Sequence, residues 1–216
     1  MPHKSRRLKH RSKKSRKPLA VGILAVVAIA VIVIAVYYVF FSQPAVPIVQ
    51  GKVLFEVVWV DETNTTRNGN ITIQLRDDKP ITSGNFRTLV EQGKYDNTIF
   101  HRVIAGFMIQ GGQIADSVST IKDEIGTDNR NVRGAIAMAN TGAPNSASSQ
   151  FFINLVDNGA ANPSFDSSYT VFGSVISGMD VVDAISQVPT AANPAMNNEI
   201  SAPVNEVTLI SATVLP

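Results

Sequence analysis

Apolar and polar positions fall into three regimes along the chain. Residues 1–17 have only Met1 and Leu8 as large apolar side chains and show no period. From Leu19 to Phe41 the stretch "LAVGILAVVAIAVIVIAVYYVFF" runs 23 residues without a charge. As a helix rising 1.5 Å per residue it would reach about 34 Å, enough to cross a bilayer. Its Val and Ile residues would also suit a strand, but in lipid only a helix satisfies its own backbone. Beyond Gly51 the pattern changes to short alternating runs broken by turn residues.

Most of those short runs read as strands. "KVLFEVVWV" (Lys52 to Val60) and "NITIQLR" (Asn70 to Arg76) are β-branched, and the Asn68-Gly69 pair between them is a strong hairpin signal, so an opening hairpin turning there is expected. In "ITSGNFRTLVEQGKY", Phe86, Leu89 and Val90 fall at i, i+3 and i+4, which predicts a helix that Thr82 or Ser83 can cap and Gly93 ends. "TIFHRVI", "FMIQGG", "GAIAMAN", "SQFFINLV" and "YTVFGSVI" are further strands. "GMDVVDAISQV" (Gly178 to Val188) carries Met179, Val182 and Ile185 at helical spacing, and "VNEVTLISATVL" closes the chain as a strand. Seven or eight antiparallel strands with two short helices predict a mainly β domain in a closed barrel, because closure removes exposed sheet edges.

Charge assigns the first two regimes. Residues 1–17 hold nine of the nineteen Lys and Arg residues and no Asp or Glu. A signal peptide also starts basic, but its apolar core is usually about 7 to 15 residues and precedes a small-x-small cleavage site. Here the core is longer and "FFSQPAVPIVQ" has no Ala-x-Ala. The expectation is an uncleaved signal anchor, with cleavage after Ala45 as the alternative. The domains expected are a basic cytoplasmic arm (1–17), a transmembrane anchor (18–41), a stiff proline-containing linker (42–50) and a folded domain (51–216) outside the cytoplasmic membrane. Tyr37 and Tyr38 suit an interfacial aromatic belt, and residues 19–41 make the lipid bilayer a partner. Residues 19–216 carry ten Lys and Arg against seventeen Asp and Glu, a formal charge of −7, which argues against a nucleic-acid partner.

Candidate chemistry is narrowed by what the folded part lacks. The chain has no cysteine, and His101 is the one histidine beyond the arm. A Ser-His-Asp triad would have to use His101, yet no Gly-x-Ser-x-Gly elbow is present, and a zinc site would need carboxylates alone. No Gly-x-Gly-x-x-Gly or phosphate loop supports a nucleotide. No metal or cofactor is therefore expected. What remains is a set of apolar and hydrogen-bonding residues: Arg102, Phe107, Met108, Gln110, Asn140, Gln150, Phe152 and Phe165. By strand alternation Arg102 and Ile104 share one face, Met108 and Gln110 share a face opposite Phe107 and Ile109, and Gln150 and Phe152 share another. Taken singly, the Phe and Met residues read as core and Arg102 as a solvated charge.

Taken in order, "TSGNFRTLVEQGKYDNTIFHRVI", "FHRVIAGFMIQGG", "AMANTGAPNSASSQFFI" and "FDSSYTVFGSVISGMDVVDAI" resemble the cyclophilins over about residues 51 to 215. The resemblance implies an eight-stranded antiparallel barrel closed by two helices and peptidyl-prolyl cis-trans isomerase activity. It matches Arg102 to the catalytic arginine, and Phe107, Met108 and Phe152 to the walls of a proline pocket. Gln110, Ala139, Asn140 and Gln150 match residues that hold the substrate backbone, and His101 matches the histidine beside the arginine. Phe165 replaces a pocket leucine, and Tyr169 stands where many members have histidine. Three further departures are visible: Ala105 replaces the proline of "R-V-I-P-G-F", "QIADSVSTIKDEIG" replaces a Gly-rich loop, and Ser164 falls where cyclosporin-sensitive members have tryptophan.

Such an enzyme needs no cofactor. An X-Pro bond turns over a barrier of about 18–20 kcal/mol set by amide resonance, and no covalent bond breaks. An arginine that donates to the prolyl nitrogen as it pyramidalises favours the twisted state over the planar one. The expected partners are proline-containing polypeptides exported across or inserted into the membrane, and the expected state is a monomer. The alternative is a tethered proline-peptide-binding module or holdase using the same groove without significant turnover.

Overall fold

A computed structural model describes residues 51–216 and, before them, only the two helical residues Val31 and Ile32. The expected arm, most of the expected span and the linker lie outside the described residues. Among the described residues no helix is long and apolar enough to cross a membrane. The chain divides into two compact units, residues 1–46 and 47–216, and the second carries everything below.

The described part opens with β1 (Lys52–Val60) and β2 (Thr66–Leu75), followed by α1 (Pro80–Glu91), β3 (Thr98–Ile99), β4 (Arg102–Ile104), β5 (Met108–Gly111), β6 (Ala135–Met138) and β7 (Phe151–Asn154). Two short helices, α2 (Asn158–Ala161) and α3 (Ser164–Ser168), precede β8 (Val171–Ser177) and α4 (Met179–Ile185). The chain ends with β9 (Thr190–Asn193), a 3-10 turn (Pro194–Met196), β10 (Glu199–Pro203) and β11 (Thr208–Leu215). Nine strands form one antiparallel sheet in the order β3-β11-β1-β2-β8-β6-β7-β5-β4, and β9 and β10 pair separately.

The sheet curls but is not closed by hydrogen bonds, so the eight-stranded closed barrel expected from the sequence gives way to a half-barrel of nine strands. Its edges, β3 and β4, are consecutive pieces of chain separated by Phe100 and His101. The Phe100 N–H still donates to Val207 O at 2.9 Å on the β11 side, and by Arg102 the chain has passed to pairing with β5. Two helices were expected in this domain and four form among residues 51–216, because α2 and α3 lie in a stretch too short to show a helical period.

The inner face of the sheet and α1 build the core. Val53, Phe55, Val57 and Trp59 alternate inward from β1, and α1 contributes Phe86, Leu89 and Val90, the three positions its period singles out. Phe86 sits among Phe55, Tyr95, Phe151 and Phe172, with ring centroids 4.8–6.1 Å away. Packed aromatic pairs contribute about 0.5–1.5 kcal/mol beyond their buried area, so this cluster helps tie the helix to the sheet.

Two local expectations are corrected. The β1–β2 turn lies at Asp61–Thr65, where the Asp61 carboxylate accepts from the N–H groups of Thr63 and Thr65 and from Arg67 Nε. Asn68 and Gly69 are inside β2, opposite Val58 and Val57. Gly69 is there for space: a Cβ would come within 2.7 Å of the Val181 side chain on α4. The start of α1 is also earlier than Thr82, at Pro80, with no side-chain cap from Lys79. Its open donors go to Glu124, whose carboxylate accepts from Ile81 N, Thr82 N and Thr82 Oγ1 at 3.1, 2.8 and 2.7 Å. The segment Gln113–Gly126 thus caps the helix from far along the chain.

Candidate active site

The outer face of β4, β5, β7 and β6 carries a second cluster, separate from the core. Strand register creates it: Arg102 lies opposite Gln110, Gln110 opposite Phe152, and Phe152 opposite Ala137, one row across four strands. Because side chains alternate, this row faces away from Val103, Ile109, Ile136, Phe151 and Ile153, which fill the core. Met108, Ala135, Ala137, Phe152 and Val171 are buried on the outer side, with Ile104, Phe107, Ala139, Phe165 and Tyr169 packed against them.

A cavity of about 200 Å³ opens over the row, lined by Arg102, Phe107, Met108, Gln110, Ala139, Asn140, Phe152, Phe165, Tyr169 and Met196. Its apolar side is a box of rings. Phe152 and Tyr169 meet at right angles with centroids 5.3 Å apart, and Phe165 lies 5.0 Å from Tyr169. The box is held through backbone carbonyls: Phe107 O accepts from Leu155 N and Asn158 Nδ2, Tyr169 O from Asn129 Nδ2, and Phe165 O from Asn131 Nδ2.

The polar side is a chain of donors. Arg102 Nη1 donates to Gln110 Oε1 at 3.3 Å, and Gln110 Nε2 donates to Gln150 Oε1 at 3.0 Å. Arg102 Nε and Nη2 donate to the two oxygens of Glu199 at 2.7 and 2.9 Å. This bidentate pair holds the Glu199 carboxyl below the usual carboxylate range. The guanidinium carbon also lies 5.9 Å from the Phe107 ring centroid. The Asn140 side chain is spent on Ser168 O and Gly142 N.

Of the eleven residues singled out from the sequence, nine line the cavity. Gln150 stands behind Gln110 and lines an adjoining depression with Thr141, Ser146 and Ser148. His101 does not line the cavity, and its buried Nδ1 has no hydrogen-bond partner among the described residues. Burial, and then the neighbouring Arg102 charge, push its pKa down. Strand alternation placed Phe107 opposite Met108, yet both line the cavity, because Phe107 lies in the turn before β5. Sequence reasoning missed Met196 and Glu199, both in the β9–β10 hairpin. The one available signal was that Glu199 is the only charged residue between Asp183 and Glu206.

Comparison with known proteins gives the family. The family described as cyclophilin type peptidyl-prolyl cis-trans isomerase/CLD matches residues 60–214. The chain is 45% identical over 152 residues to the peptidyl-prolyl cis-trans isomerase of Acinetobacter baylyi, covering 67% of this chain and 81% of that protein. It is 45% identical over 160 residues to peptidyl-prolyl cis-trans isomerase B of Escherichia coli, covering 69% and 96%. The solved cyclophilin-type isomerase of Cryptosporidium parvum superposes with a TM-score of 0.59 at 26% identity, covering 76% of this chain and 98% of that one. The chain belongs to the cyclophilin-type peptidyl-prolyl cis-trans isomerases and is an enzyme of that class.

Proposed function

We propose that the enzyme isomerises X-Pro bonds in polypeptides emerging at the outer face of the cytoplasmic membrane, with Arg102 as its catalytic residue and residues 18–41 as its anchor. The observation that carries the site assignment is the placement of the Arg102 guanidinium on the rim of an aromatic box. The box formed by Phe107, Met108, Phe152, Phe165 and Tyr169 takes the proline ring and excludes water from it. Arg102 donates to the prolyl nitrogen as its lone pair leaves amide conjugation, an interaction that strengthens only in the twisted state. Gln110, Gln150 and the backbone of Ala139 and Asn140 hold the substrate chain. His101 borders the site by fixing the strand on which Arg102 sits, and its carbonyl accepts from Asn193 Nδ2 at 3.3 Å.

The location rests on the uncharged 23-residue stretch and on the basic arm before it. Slow proline steps limit the folding of exported chains as of any other, which gives a tethered isomerase a task. Two measurements test the proposal. The full chain should accelerate isomerisation of a short X-Pro peptide, and it should stay in the membrane pellet after an alkaline wash. Absence of turnover would favour a tethered peptide-binding module, and release into the supernatant would remove the anchor.

A further inference from the structure

The β9–β10 hairpin reaches the cavity from outside the main sheet, and Arg102 is the side chain it grips. Glu199, the first residue of β10, engages Arg102 through both carboxylate oxygens, and Met196, in the turn of the same hairpin, lines the cavity beside it. The hairpin itself is fastened to the base of β4 by Asn193, which is buried and donates to His101 O at 3.3 Å and to Ser201 Oγ at 3.4 Å.

Counting donors shows what the grip does. A guanidinium has five N–H groups. Glu199 takes one on Nε and one on Nη2, and Gln110 takes one on Nη1, which leaves one on each Nη. Glu199 therefore occupies the Nε–Nη2 edge, and the open donors are on the two Nη nitrogens. Arginine otherwise loses considerable rotamer freedom when it is fixed, a cost that a free side chain would bear in the transition state. With Glu199 in place that cost is met when the protein folds. The carboxylate also opposes the guanidinium charge, but its side chain is 36% exposed, so solvent screens this opposing effect while leaving the geometry intact.

We propose that Glu199 is a positioning residue for catalysis, holding Arg102 by its Nε–Nη2 edge so that an open Nη donor is presented to the prolyl nitrogen. The proposal rests on the assignment of Arg102 as the catalytic residue. In this arrangement the hairpin is a functional part of the site, and Glu199 acts through Arg102 alone.

The test is a double-mutant cycle on the full chain, with kcat and KM determined separately on one X-Pro peptide. Misplacing a catalytic group by an ångström can cost up to about a hundredfold, so a partial loss of order is expected to lower kcat about tenfold in Glu199→Ala, with KM within about twofold of wild type. Glu199→Gln, which keeps the shape and loses the charge, should fall between the two, and Glu199→Asp should recover part of the loss. Because Glu199 acts through Arg102, adding Glu199→Ala to Arg102→Ala should change turnover by less than about twofold. If Arg102→Ala is inactive while Glu199→Ala and Glu199→Gln keep or exceed wild-type kcat, the positioning role is overturned and the site assignment stands. Losses that multiply in the double variant would overturn it equally, since they mean a structural effect independent of Arg102. If Arg102→Ala turns over normally, both the assignment and the positioning role fall.

Discussion

Phe165 meets Phe107 edge to face, with ring centroids 5.5 Å apart and planes at 78°, so that a residue of α3 closes the cavity against the turn between β4 and β5. Phe165 also touches Phe152 and Tyr169, at 6.2 and 5.0 Å. Aromatic pairs of this kind contribute about 0.5–1.5 kcal/mol, and the ring would contact bound proline equally in the planar and twisted states. Phe165→Ala should therefore raise KM about three- to tenfold and leave kcat nearly unchanged. Steady-state kinetics on an X-Pro peptide checks the split.

Glu124 caps α1 by accepting from Ile81 N, Thr82 N and Thr82 Oγ1. Removing it strands donors at the positive end of a helix that carries Phe86 into the core. Glu124→Ala should cost about 1–2 kcal/mol of stability, the usual range for losing a cap. Urea unfolding should show a lower midpoint with an unchanged slope.

Ala105 occupies the second position of a turn closed by the Phe107 N–H donating to Ile104 O at 3.1 Å, with Gly106 at φ +70° in the third. A glycine at positive φ in the third position marks a type II turn, whose second position suits proline because its ring fixes φ at about −65°. Ala105→Pro should stabilise the domain by about 0.4–1 kcal/mol through the unfolded state, with turnover intact. A lower unfolding midpoint would show that the turn has another geometry.

His101 is kept neutral by burial and by Arg102, so its folded pKa lies below the ordinary value of 6.5. Below that ordinary value the unfolded chain binds a proton that the folded one refuses. The stability His101 contributes is therefore complete above about pH 6.5 and is lost as pH falls toward the folded pKa, with a slope of at most about 1.4 kcal/mol per pH unit. Unfolding free energies measured from about pH 7 to 5 should fall in wild type and fall less in His101→Gln.

Much of the site was legible in the sequence because it is built on strands. Arg102, Gln110 and Phe152 were singled out by the resemblance of the ordered segments to the cyclophilins, not by alternation alone, and register sets them in one row. Phe86, Leu89 and Val90 were legible because a helical stripe facing a core repeats every three or four residues. What could not be read depends on long-range contacts with no local signature. Glu124 capping a helix some forty residues earlier is one case, and Glu199 reaching Arg102 across 97 positions is another. Asn68-Gly69 misled for a related reason: a strong turn pair was outweighed by the Asp61 turn, and the glycine served the approach of Val181. The half-barrel was missed because β3 pairs with β11, about 110 residues further on, while β4, two residues later, turns to its neighbour β5, and nothing local marks the switch.

The central claim is that Arg102 stabilises the twisted X-Pro bond. The most direct measurement is kcat/KM of the full chain and of Arg102→Ala on one X-Pro peptide, with peptide binding determined in parallel. Loss of one electrostatic donor to a transition state typically costs about a hundredfold or more, so kcat/KM should drop at least tenfold while peptide affinity stays within about threefold. Turnover by Arg102→Ala equal to wild type, with the peptide still bound in the cavity, would contradict it.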